Sequence, residues 1–349
     1  MRGAMGAPAS EVPVMRTSIR SGAVQAGPTI ALLPALAALA YPFWLRAAHA
    51  AAGQATLPLL LGAFAMPLLA AARWRHLAQR PASSVFERRA RLLALLACAA
   101  PPLFVFIAFA LRMLGGPLPE PVAWALVWTV AATWTWLGDP ATPVRTAPPA
   151  PAGARVAHGL VAAGVLAFIG FHLANHLAGL LGPHAHAALM HAGRTLYRRP
   201  AVEAALVLLL LLQVALGAWL AWRWSARGLD GYRSVQVATG VYLGFFLLAH
   251  MNSALVSARL LNGIDTDWAW ASNAPVGLLK DAWSIRLLPH YALGAFCAPA
   301  HLACGLRAVL LAHGVQPAVA NRAWLAGLAL AAAVAALIVA ALCGLRVAT

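Results

Sequence analysis

The chain has 349 residues, of which 62% are hydrophobic and 10% are charged, and its mean hydropathy is +0.77. This composition is typical of integral membrane proteins and excludes an ordinary soluble domain. The formal net charge is +16. Because the arginines stand mainly between apolar runs, we attribute this charge to orientation in a lipid bilayer and exclude nucleic acid as a partner. The four cysteines form no CxxC pair, so no zinc or iron-sulfur site is predicted.

Apolar runs of roughly 17 to 25 residues, long enough for a helix to cross about 30 Å of hydrocarbon, recur along the chain. They predict an all-α, polytopic membrane bundle with about nine transmembrane helices. The third run contains Pro101 and Pro102, which predict a kink because proline lacks an amide donor. The nine runs lie near residues 27–45, 55–72, 92–111, 121–138, 156–180, 204–222, 234–258, 287–306 and 323–345.

A proline-rich segment divides the apolar runs into two groups, because its composition suits a linker better than a helix. The predicted organisation is a cytoplasmic tail at 1–26, a four-helix membrane region at 27–138, a linker at 139–155, and a five-helix bundle at 156–349. The distribution of basic residues between the runs favours a cytoplasmic N-terminus in a bacterial-type inner membrane. Ala48 to Ala50 resembles a signal cleavage site, but Arg46 just before it argues against cleavage.

Two segments 78 residues apart carry the same spaced set of residues. The first has Arg155, His158, Phe168 and His172, and the second has Arg233, Gln236, Phe246 and His250. Each terminal histidine lies 17 residues after its arginine, or roughly 25 Å along a helix. On parallel helices both imidazoles would therefore stand at the same depth in the membrane.

Histidines at membrane depth usually face the interior of a bundle, where they serve a cofactor, an ion path or a partner helix. A six-coordinate b haem takes two axial imidazoles, usually from different helices, inside an apolar pocket. We therefore predict His172 and His250 as axial ligands of the haem iron. The alternative is that both histidines only form hydrogen bonds with neighbouring helices, and His176 competes with His172 as a ligand.

A second haem beneath the first is possible, because His158 lies on the same helix as His172 and roughly 21 Å from it. The repeat offers Gln236 opposite His158, and glutamine is a poor haem ligand. The second iron would then need His301, the best candidate at that depth. His290, three turns before His301, is expected near the other boundary, where a propionate or a quinone would meet it.

The pair Arg233 and Gln236 stands at the entrance of a predicted helix, where it would hydrogen-bond a quinone carbonyl or simply anchor and cap the helix. The remaining histidines lie at predicted helix ends or in loops, where water satisfies them. They are His49, His76, His184, His186, His191 and His313.

Residues 153 to 313 resemble the single-chain, five-helix cytochrome b membrane anchors of succinate dehydrogenase and fumarate reductase. The resemblance rests on ARVAHGLVAAGVLAFIGFHLANHLAG, LLLLLQVALGAWLAWR, YRSVQVATGVYLGFFLLAHMNSA and LLPHYALGAFCAPAHLACGLR. In that family, helices one and four hold one haem, and helices two and five hold another. The resemblance implies quinone chemistry and places His172, His250 and His301 at ligand positions. Gln213 stands where the second helix should supply a histidine, and the family's third helix has no counterpart.

The sequence contains no flavin or nicotinamide fingerprint, so the chain is expected to act as an electron-transfer subunit with a partner oxidoreductase, not as an enzyme alone. The predicted function is electron transfer between that partner and the quinone pool through haem b. One alternative is a haem-free scaffold of a larger membrane complex. A proton channel or transporter is the other, and the near absence of carboxylates from the apolar runs argues against it.

Overall fold

The computed structural model describes residues 28–51, 55–116, 118–145 and 148–347. Within these ranges the chain is helical and contains no β-strand, only an isolated bridge between Ser84 and Pro143. The predicted all-α class is therefore confirmed. The predicted tail at 1–26 lies outside the described residues.

The region before the linker forms six helices, of which the first is a single turn. The predicted kink is confirmed as a 70° bend between the fourth and fifth helices. Pro101 and Pro102 occupy the first turn after the bend, where their missing amide donors interrupt the hydrogen-bond ladder. The six helices are α1 (Pro28–Ala31), α2 (Leu33–Ala50), α3 (Thr56–Ala78), α4 (Val85–Cys98), α5 (Ala100–Met113) and α6 (Glu120–Trp136).

The region after the linker forms seven helices, two of which the sequence did not predict. The last residues of the predicted linker already belong to the first of the seven, which begins at Ala152. These helices are α7 (Ala152–Ala178), α8 (Pro183–Tyr197), α9 (Pro200–Trp224), α10 (Gly231–Met251), α11 (Trp268–Ser272), α12 (Leu287–Ala312) and α13 (Pro317–Leu342). Helix α10 continues as a π-helical segment, Asn252–Leu261.

Six of the described helices are long and apolar enough to cross a membrane, or seven if the bent pair α4 and α5 forms one span. They make the chain a multi-pass membrane protein by length and composition. The other predicted spans correspond to α2 and α6, which are helical, 18 and 17 residues long, and not among these six. The count of nine is thus not confirmed, and neither is a five-helix haem bundle.

The helices before the linker pack mainly against one another, and their contacts with the later helices are mainly with α10, its π-helical extension and α12. The Trp74 indole N–H on α3 donates to the carbonyl oxygen of Ser234 on α10 at 2.8 Å. Near the start of α12, Arg286 forms an ion pair with Glu120 at 2.7 Å and lies over the ring of Phe104. Helix α12 also packs extensively on α13, and α10 and α12 each contribute residues to a space that they share with α7 and α9.

Candidate functional site

A large cavity lies among α7, α9, α10 and α12. It measures about 1330 Å³, which exceeds the roughly 300–1,000 Å³ of most ligand pockets. Helices α7 and α10 each pack on α9 and touch each other far less, so a space remains between them. The cavity wall is mostly apolar, and it includes all four histidines predicted as haem ligands: His158, His172, His250 and His301.

His172 and His250 lie close to each other on the cavity wall, and we call them the distal pair. Their ring centroids are 5.8 Å apart and the ring planes are inclined by 69°. Each ring stacks on a phenylalanine one turn earlier in its own helix, Phe168 at 5.7 Å and Phe246 at 5.5 Å. Residues four apart share a helix face, which explains why the repeated spacing produces the same stack twice. Nδ1 of His250 has no hydrogen-bond partner among the described residues.

His158 and His301 also approach each other, and we call them the basal pair. Their ring centroids are 6.3 Å apart and the rings are nearly perpendicular, at 89°. Nδ1 of His301 lies 3.0 Å from the carbonyl oxygen of Gln236. Because a carbonyl oxygen only accepts, Nδ1 must carry the proton, which leaves the Nε2 lone pair of His301 unprotonated.

Gln213, which stands where the resembled family has a histidine, lies beside the basal pair. Its side-chain nitrogen donates to Nε2 of His158 at 3.2 Å, while Nδ1 of His158 has no partner among the described residues. As arranged, this hydrogen bond occupies the nitrogen that would bind a metal. A half-turn of the Gln213 amide would present its carbonyl oxygen instead and reverse the direction of the hydrogen bond.

Glycine makes room for the basal pair. A Cβ atom added to Gly240 would lie 2.8 Å from Cε1 of His301, and one added to Gly217 would lie 3.4 Å from Cε1 of His158. By contrast, a Cβ on Gly244, one turn beyond Gly240, would meet nothing closer than 3.9 Å. Gly240 is therefore required by the position of His301, whereas Gly244 is not.

His186 was expected in a solvated loop, and this expectation is wrong. It lies on α8 and is only 2% exposed, because the unpredicted helix folds over the distal end of α7. Nδ2 of Asn175 lies 3.1 Å from its Nε2, and the Trp268 ring is 4.8 Å away. Burial lowers the pKa of His186 to about 4, so the ring is neutral at physiological pH.

His176, the competing ligand, lies between the distal pair and His186. Its ring is 4.7 Å from His172 and 5.6 Å from His186. A row of imidazoles thus runs from His250 to His186 at the distal end of the cavity. The sequence offered one signal for this row, the spacing of four residues from His172 to His176.

The three residues proposed from the sequence to contact a quinone are not brought together. Nη1 of Arg233 donates to Oε1 of Gln236 at 2.5 Å, and both residues line the basal end of the cavity. His290 is 1% exposed and packs on Phe246, with 4.6 Å between ring centroids. Among the described residues it is not part of the cavity wall, so the structure separates it from the other two.

No group of three or more potential metal-ligating side chains occurs within the described part of the chain. The arrangement is instead two pairs of imidazoles in one apolar cavity. Two imidazoles that bind one metal from opposite sides, each at about 2.0 Å, place their centroids roughly 6 Å apart. The observed 5.8 Å and 6.3 Å agree with this spacing.

Comparisons with known proteins identify no relative. No family model, curated protein or solved structure matches the chain.

Proposed function

We propose that the chain is a membrane-embedded b-type cytochrome, in which His172 and His250 are the axial ligands of one haem. The observation that carries the proposal is the distal pair itself, with ring centroids 5.8 Å apart on the wall of an apolar cavity of about 1330 Å³. Neither ring forms a hydrogen bond with another described residue that would have to break first. An imidazole nitrogen that faces an apolar cavity without a hydrogen-bond partner is costly, and a coordinated metal would satisfy it.

The residues around the distal pair support this role in specific ways. Phe168 and Phe246 fix the plane of each imidazole by stacking. The apolar wall excludes water and so provides a low dielectric environment. That environment and the two imidazole ligands together set the reduction potential of a bound haem. When bound, haem b supplies one-electron transfer.

A second haem at the basal pair is part of the proposal. Two observations support it. The rings are 6.3 Å apart, and the hydrogen bond at Nδ1 of His301 leaves the Nε2 lone pair of that residue available to a metal. For His158 to bind through Nε2, the Gln213 amide must move away from that nitrogen; if the amide instead turns to accept from Nε2–H, the free lone pair of His158 is on Nδ1. The two pairs, roughly 21 Å apart along α7, would then define a path for electrons along the cavity.

The partners in this proposal are those that the sequence implies. The chain lacks a nucleotide-binding fingerprint, so electrons would come from or go to another oxidoreductase subunit, with membrane quinone as the second redox partner. A role as the anchor of a succinate dehydrogenase or fumarate reductase complex, in a bacterial-type inner membrane with the N-terminus in the cytoplasm, remains a proposal based on the resemblance of residues 153 to 313.

A reduced-minus-oxidised optical spectrum of the purified chain tests the proposal. We expect the α-band of a six-coordinate b haem, and we expect His176→Ala to retain it. A colourless protein that copurifies tightly with partner subunits would instead support the haem-free scaffold. A colourless protein that conducts protons in vesicles would support the channel.

A further inference from the structure

The arginines at the two ends of the cavity differ in how their charge is compensated. At the distal end, Asp265 forms ion pairs with Arg194 at 2.8 Å and Arg198 at 3.1 Å. Burial raises the pKa of Asp265, but hydrogen bonds from these two guanidinium groups outweigh that effect and hold it below its usual value. A third arginine on the distal wall, Arg259, is paired with Glu203. Each of these distal arginines is therefore ion-paired with one of this chain's own carboxylates.

At the basal end, Arg155 and Arg233 line the cavity, and neither forms an ion pair with a carboxylate of the described residues. Asp230 is nearby, but its carboxylate caps α10 by accepting from the backbone N–H of Arg233 at 2.6 Å. The Arg233 guanidinium has only a neutral acceptor, Gln236. The Asp230 carboxylate still attracts the Arg233 charge, while Arg155 and Arg307 lie close enough to repel it. Excess positive charge thus collects at one end of an apolar cavity.

Both arginines are placed one turn from the basal pair. Arg155 precedes His158 by three residues on α7, and Arg233 precedes Gln236, whose carbonyl holds His301, by three residues on α10. Both helices also begin at this end, so the positive ends of their dipoles add to the two side-chain charges. At the distal end, by contrast, Arg194, Arg198 and Arg259 already have carboxylate partners.

We infer that Arg155 and Arg233 bind the two propionate carboxylates of a haem held at the basal pair. The inference rests on the proposed function. Haem b carries two carboxylates on one edge and is otherwise apolar, which matches an apolar cavity with two guanidinium groups that lack an ion pair among the described residues, beside one imidazole pair. Guanidinium binds carboxylate with paired hydrogen bonds. A quinone, expected from the sequence at Arg233 and Gln236, is neutral and would leave this charge uncompensated.

The test is a redox titration of the intact, haem-loaded chain in lipid discs, carried out with Arg155→Gln and Arg233→Gln. The His172→Ala background removes the distal haem, so that the basal haem is observed alone. Each substitution removes a positive charge near the basal haem. Because the oxidised haem carries one more positive charge than the reduced haem, loss of a nearby cation stabilises the oxidised state relative to the reduced state. We expect a lower midpoint potential and faster haem loss in each variant, and a larger shift in the double variant.

Arg198→Gln is the matched control, because it removes a paired arginine from the distal end, and we expect it to leave the basal midpoint unchanged. Arg233→Lys keeps the charge and should recover most of the midpoint shift, which a purely structural role for Arg233 would not predict. The inference is overturned if Arg155→Gln and Arg233→Gln behave like Arg198→Gln while the basal haem remains bound. A wild-type chain without any haem overturns the proposed function itself, and the two failures are therefore distinguishable.

Discussion

At the distal pair each imidazole stacks on a phenylalanine of its own helix, whereas at the basal pair hydrogen bonds from neighbouring helices hold each imidazole. Local spacing along one helix is therefore sufficient for the distal arrangement. The basal arrangement depends on how α9, α10 and α12 pack together. One cavity thus presents two similar imidazole pairs whose supports have different origins. Because the supports differ, we expect the two pairs to differ in their sensitivity to substitution.

The largest effect should follow removal of a ligand from either pair. His250→Ala leaves His172 without a partner across the cavity, so we expect loss of the distal haem and a fall to about half of the wild-type haem content per chain. His301→Ala should remove the other half. Haem content is measured by absorbance after extraction into alkaline pyridine. If His176→Ala removes haem as completely as His250→Ala does, the assignment of His172 as the distal ligand is incorrect.

Gly240→Ala should affect the basal pair almost as severely. The new Cβ would lie 2.8 Å from Cε1 of His301 and would force the ring out of position. Alanine normally favours a helix over glycine by about 0.8–1 kcal/mol, so a loss of basal haem could not be attributed to a weaker helix.

The matched control is Gly244→Ala, whose Cβ meets nothing closer than 3.9 Å. We expect this variant to bind both haems and to unfold at or above the wild-type temperature. Equal haem loss from the Gly240 and Gly244 variants would mean that the space beside His301 is not specific to the basal pair.

The two pairs were not equally predictable from the sequence. Matching depth of His172 and His250 follows from a repeated 17-residue spacing on two apolar runs, and helical geometry converts such spacing directly into height. The pairing of His158 with His301 was inferred only because Gln236 is a poor ligand. Nothing in the sequence indicated that Gln213 would contact His158, since that contact depends on the rotation of α9 about its axis.

Two departures from the expectations have different physical origins. Helix α8 carries charged and polar residues among its apolar ones and is too short to span a membrane, so a search for long apolar runs passes over it. His186 was consequently placed in water, although α8 buries it. His290 was assigned to the boundary from its position along α12, but its rotation about the axis directs it toward Phe246 and away from the cavity wall.

Gln213→Ala should change the affinity for basal haem less than the substitutions above. The direction of the change distinguishes a supporting amide from a competing one. If the turned amide of Gln213 accepts from Nε2–H of a His158 that is coordinated through Nδ1, loss of the amide should weaken basal haem binding by roughly 10-fold, the lower end of the range for such supporting partners. Haem transfer to an excess of haem-free acceptor protein measures the change. Tighter binding in Gln213→Ala would show that the amide competes with the metal for Nε2 instead of supporting it.

Phe168→Leu should have the smallest effect, because it removes only the aromatic stack beneath His172 and an edge contact with Tyr197. Such contacts contribute about 0.5–1.5 kcal/mol, so we expect distal haem to transfer to the acceptor about 2- to 10-fold more readily. Phe171→Leu is the matched control, since Phe171 contacts Tyr197 but is absent from the described ring contacts of His172. Basal haem should be unaffected in both variants, because its imidazoles are held by hydrogen bonds. An equal loss of both haems in Phe168→Leu would mean that α7 responds as a whole, and that the two pairs are not supported independently.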